Sequence, residues 1–141
     1  MGAKKILVAV RPEDLPLVTG ALGPEFCAVV CHTLREAEAA LGPDIGMIAC
    51  GVHFDRGAMF DFLRSAKTHP HARGLPFYLL LGEGSGHSEA VLRGIRSAAR
   101  LLGATAFTDL SRLRRDFGEQ AAYERLRAAV REALTPHETV R

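Results

Sequence analysis

Four residues that follow apolar runs have side chains of the types that do chemistry: Asp14, Cys50, His53 and Asp55. His53 and Asp55 stand two apart in one short segment, so both can face one mouth. With Asp14 they would supply nitrogen and oxygen donors to a metal ion, or a rebuilt phosphate site. A simpler reading is favoured: Asp14 and Asp55 cap the helices that follow them, and His53 is a solvated loop residue. Cys50 would act as a nucleophile only if its thiolate were favoured, and no neighbouring motif supplies that. Gly82-Glu83-Gly84-Ser85-Gly86 precedes a helix and could cradle phosphate through free amides. Its spacing fits neither common phosphate-loop pattern, and Glu83 opposes an anion, so a loop with a Ser85 or Ser88 cap is preferred. His69-Pro70-His71 reads as a solvated turn. Cys27 and Cys31 are four apart, on one face of a strand, and read with Cys50 as reduced, buried small hydrophobes. No cofactor, no metal and no catalytic residue is expected.

Alternating elements must position these residues. Apolar runs at 5–10, 26–30, 45–50, 75–81 and 104–108 read as buried strands. Helical patterns lie between them, at 15–22, from Thr33 onward, at 56–67 and at 88–102. Thr33 and Glu36 form a capping box. After the fifth strand come a segment at 111–117, a break at Gly118 and a strong helix at 119–134. Continuous apolar strands alternating with amphipathic helices imply a parallel sheet covered on both faces. The expected fold is α/β: a three-layer α/β/α sandwich, flavodoxin-like, with strand order 2-1-3-4-5. Residues 1–134 read as one domain and 135–141 as a frayed tail.

Composition narrows the function. The chain has 141 residues, with 18 basic and 16 acidic side chains and a formal charge of +2. That balance argues against a strongly basic nucleic-acid binder, and 48% hydrophobic content argues against disorder. No apolar run approaches the ~20 residues of a membrane span. The first ten residues do not form a secretory signal, so a cytoplasmic protein is expected.

Lys5-Ile-Leu-Val-Ala-Val10, Pro43-Asp-Ile-Gly-Met-Ile48, Leu75-Pro-Phe-Tyr-Leu-Leu80 and Gly103-Ala-Thr-Ala-Phe107 occur in a telling order and spacing. In these segments the chain resembles the receiver domain of two-component response regulators, the CheY-like family, over nearly its whole length. The resemblance implies phosphoryl transfer to an Asp ending strand three. Two acids after strand one would hold Mg²⁺, and a hydroxyl and a Lys would contact the phosphoryl group. Those positions fall here on Val10 and Arg11 for the acids, Ala49 for the acceptor, Leu81 for the hydroxyl and Leu110 for the Lys. All five are replaced, so the chain resembles a pseudo-receiver without the phosphorylation site. The implied function is a non-enzymatic signalling module that works by protein–protein interaction. A histidine kinase or an effector would be its partner, with a homodimer as a further option and no membrane or nucleic acid. Arg112, Arg114, Arg115, Tyr123 and Arg127 mark the candidate interaction face. Two alternatives stand beside this reading. One is a response regulator with a site rebuilt from Asp55, His53 or Cys50. The other is a small flavodoxin-like ligand-binding protein.

Overall fold

The computed structural model describes residues 4–82 and 87–135. Five short runs rich in β-branched and aliphatic residues form strands β1 Lys5–Ala9, β2 Ala28–Cys31, β3 Ile45–Gly51, β4 Phe77–Leu81 and β5 Ala106–Asp109. All neighbouring pairs are parallel, and the order is β2-β1-β3-β4-β5. The order and the three layers are those expected from the alternation of patterns.

Side chains alternate across the sheet and build two apolar layers. Ile6, Val8, Val10, Met47, Ala49 and Leu80 lie in one, packed with Val18 and Leu22 of α1 (Leu15–Leu22) and Leu126 and Val130 of α6 (Glu119–Leu134). Leu7, Ala9, Ile48, Cys50, Leu79 and Leu81 lie in the other. There they meet α2 (Leu34–Ala40), α3 (Met59–Thr68) and α4 (Glu89–Leu101) through Ala37, Phe62, Leu63, Ala66 and Ala99. A short helix, α5 (Leu110–Phe117), joins β5 to α6.

Several boundaries move from expectation for local reasons. The capping box at α2 forms as read, with Thr33 Oγ1 accepting from Glu36 N–H at 3.1 Å. β4 begins two residues late: Leu75 N–H closes a turn onto Ala72 O at 3.0 Å, and Pro76 has no N–H to give to a ladder. β5 begins after Thr105, whose Oγ1 accepts from Phe77 N–H at 2.9 Å. β2 is displaced by one or two residues, which leaves Cys27 outside it and exposed. α3 starts at Met59 rather than Arg56, because Asp55, Arg56 and Gly57 all have positive φ, at 42°, 56° and 93°. Gly118, at φ 82°, makes the expected break before α6.

Candidate functional site

In a sheet of this order, ligands meet the C-terminal strand ends beside β1 and β3, where the strand order reverses. The strand ends here are apolar. Val10 and Leu110 are fully buried, Ala49 is 4% exposed and Leu81 3%. Val10 packs against Gly51: a Cβ on that glycine would stand 3.4 Å from Val10 Cγ1. Val10, Ala49 and Leu110 share one core layer, and Leu81 belongs to the other. Arg11 is half-buried at the rim, and its Nε and Nη2 donate to Asp14 at 2.8 and 3.3 Å. That bond is the main cause holding the Arg11 pKa above its ordinary value. A Mg²⁺ ion needs about six oxygen ligands, and none of Val10, Arg11, Ala49, Leu81 and Leu110, on which the resemblance sets the receiver site, has a side-chain oxygen.

The other sequence candidates take different parts from those expected. Asp14 stands at the start of α1 but makes no side-chain cap; its carboxylate is engaged by Arg11. Asp55 also leaves its own helix uncapped. Its Oδ2 accepts from Leu34 N–H at 2.8 Å, so it caps α2, a neighbour in space rather than in sequence. The left-handed turn at Asp55 and Arg56 ends the reach toward α3. Cys50 does not stand at a site mouth. It is fully buried, its Sγ faces Gly51 O at 3.6 Å, and burial pushes its thiol pKa well up. Cys31 is buried as expected, whereas Cys27 is exposed, because the strand starts after it. Ser88 does cap α4, accepting from Val91 N–H at 3.2 Å. Residues 83–86 of the glycine-rich loop lie outside the described residues.

His53 is not simply solvated. Its Nε2 is buried with no hydrogen-bond partner among the described residues, and its ring stacks on His87 with centroids 5.2 Å apart. Burial, then Arg11 and His87, lower its pKa against a smaller opposing effect of Asp14. An unsatisfied buried polar atom costs about 1–3 kcal/mol, so this ring is poised for a partner.

His53 lines a cleft of about 670 Å³ between the ends of β1, β2 and β3 and the start of α4. Arg11, Glu13, His32, Asp55 and Arg56 form its other polar surfaces; Val52, Met59, Phe60 and Ile95 give it an apolar wall. Its volume lies in the range of small-molecule sites. His32 stands just past β2. Its Nδ1 donates to Val10 O at 2.8 Å, which fixes the proton on that nitrogen. His32, Arg56 and His87 were not singled out in the sequence. Each is a lone polar residue at a strand or helix end, and only the parallel topology brings the three together. Asp14, His53 and Asp55 do not assemble as a metal set: among the described residues no three His, Cys, Asp or Glu can hold an ion.

The candidate interaction face divides in two. Arg112, Arg114 and Arg115 lie on α5, with Arg114 3.4 Å from Glu119, which also accepts from Tyr123 Oη at 3.2 Å. Arg127 points elsewhere. Its Nε donates to Ala21 O at 2.9 Å and its Nη2 to Gly20 O at 3.3 Å, so it ties α6 to the C-terminal turn of α1. A cation there meets free helix carbonyls and the negative end of the helix dipole.

No family model matches the chain, and no curated protein matches it in sequence. Solved structures match in fold. The phosphorylated cyanobacterial phytochrome response regulator RcpA superposes with a TM-score of 0.69 at 15% identity, over 95% of this chain and 96% of that one. A response regulator from Hahella chejuensis gives 0.67 at 15% identity, over 98% and 100%. The bacteriophytochrome response regulator AtBRR gives 0.66 at 20% identity, over 99% of each. Strand order, layers and these likenesses agree that the chain has the CheY-like receiver-domain fold, in the flavodoxin-like class.

Proposed function

We propose that residues 1–134 act as a pseudo-receiver: a non-enzymatic module of two-component-type signalling that works in the cytoplasm by protein–protein contact. The observation that carries this reading is the apolar seal at the strand ends. Val10, Ala49, Leu81 and Leu110 are buried hydrophobes where a phosphorylated receiver needs acids, an acceptor, a hydroxyl and a Lys. The partner would be a histidine kinase, an effector or a second copy, with α4, β5 and α5 as the docking side. On that side Arg96 of α4 lies over the Phe107 ring of β5, 4.6 Å from its centroid, and Arg112 and Arg115 supply further charge on α5. The rebuilt-site alternative is less well supported, because Asp55 is engaged by Leu34 N–H and Cys50 is out of reach of solvent.

Incubation with acetyl phosphate and Mg²⁺, read by intact-protein mass, tests the reading. No gain of a phosphoryl group is expected. A stable acyl-phosphate adduct on any Asp would overturn it.

A further inference from the structure

The cleft beside β1 and β3 has features that the protein-contact reading does not use. Arg56 projects from backbone at φ 56°, a region that L residues other than Asn and Asp rarely occupy. Its guanidinium has no hydrogen bond or ion pair among the described residues. Strain of this kind clusters at active sites, ligand clamps and switch regions. His53 Nε2, on the same cleft, is buried without a hydrogen-bond partner among the described residues. Two of the three carboxylates nearby are engaged, Asp14 by Arg11 and Asp55 by Leu34 N–H, and Glu13 stands at the rim beside Arg11. The charge of Arg11 acts on the His53 ring more strongly than that of Asp14. Met59, Phe60 and Ile95 leave the rest of the cleft apolar.

We infer that this cleft binds a small organic anion, a flat ring bearing one carboxylate or phosphate group. Arg56 and His53 meet the charged group, and Met59, Phe60 and Ile95 meet the ring. The charge pairs with the exposed Arg56 guanidinium, and His53 Nε2–H donates a hydrogen bond to the anion. The ring excludes water from the apolar wall and strengthens both contacts. This inference stands apart from the protein-contact reading, since binding is measured on the isolated chain.

The test is an NMR titration of backbone amides with phenyl phosphate, benzoate, inorganic phosphate and benzylamine. Saturable binding of phenyl phosphate or benzoate is expected, with the largest shifts from Val52 to Phe60. Which of the two binds more tightly identifies the charged group. Inorganic phosphate, lacking the ring, and benzylamine, with the opposite charge, are expected to bind at least about tenfold more weakly, the factor that about 1.4 kcal/mol produces. Arg56→Gly is expected to weaken binding by a similar factor without lowering the melting temperature, because glycine accepts this backbone freely. His53→Gln is expected to weaken it too. No saturable binding of either ring anion overturns the inference. So does benzylamine or inorganic phosphate binding as tightly, or unchanged affinity in both variants.

Discussion

At the scale of single residues, the strand ends decide what this protein can do. Ala49 stands where the resemblance to receivers sets the acceptor, and its surroundings are Val8, Tyr78 and the apolar layer containing Val10 and Met47. An Asp placed there would meet no cation, because the nearest guanidinium on the β1 loop, Arg11, is committed to Asp14. Ala49→Asp is therefore expected to lower unfolding free energy by about 3 kcal/mol or more, the cost of an unpaired buried carboxylate. It is also expected to leave the protein unphosphorylated by acetyl phosphate. Urea denaturation and intact mass read the two outcomes, and a stable, phosphorylated variant would show that the apolar seal is not what closes the site. Arg56 gives the opposite case. Its left-handed backbone costs about 1–2 kcal/mol in an L residue, and glycine returns part of that gain through its looser unfolded chain. Arg56→Gly is expected to raise stability by about 0.5–1 kcal/mol. A loss of similar size would mean that the Arg56 side chain makes a stabilising contact in the free protein.

At the scale of elements, the same loop joins two neighbours that are distant in sequence. Asp55 turns away from α3 and accepts from the first N–H of α2, while Thr33 and Glu36 close the capping box on that helix. The α2 N-terminus is thus held from both its own sequence and the β3 loop. Asp55→Ala is expected to cost about 1–2 kcal/mol, the usual range for a charged cap on a helix amide. Amide hydrogen exchange should quicken in α2 more than at the start of α3. Equal or greater loss in α3 would restore the role that the sequence suggests for Asp55, as cap of its own helix. Sequence reading placed Asp55 there because N-cap rules run along the chain. The three positive φ angles from Asp55 to Gly57, which redirect its carboxylate, leave only one sign in the sequence, Gly57. The capping box at Thr33 was legible because both partners lie within one turn. The tie that Arg127 makes to α1 was not legible for the converse reason: its partners, Gly20 and Ala21, lie more than a hundred residues away and are backbone carbonyls.

At the scale of the whole molecule, periodicity was enough for the fold and too little for the cleft. Strand order and layering follow from apolar runs separated by amphipathic helices, so five elements and their sequence were readable. The cleft is made where loops after β1, β2 and β3 converge on the start of α4, a convergence that only the assembled sheet creates. Its effect on the molecule can be measured through His53. Burial, Arg11 and His87 hold the folded ring below the ordinary value of 6.5, while the unfolded chain leaves it near that value. Between the two pKa values the unfolded state binds more protons. The contribution of His53 to stability is therefore complete above 6.5 and falls as the pH drops from 6.5 through the folded-state value. Asp14 works against this shift, and Glu13, His32, Asp55 and Arg56 face the same cleft, so the wild-type curve alone would mix their effects. His53→Gln removes only the one titration. Melting temperatures of both proteins between about pH 7.5 and 5.5 should diverge, with the wild type losing more on acidification. A bound organic anion should reverse the order, because it favours the protonated ring and pulls its pKa upward. Parallel curves with and without the anion would mean that the buried His53 nitrogen takes no part in either folding or binding.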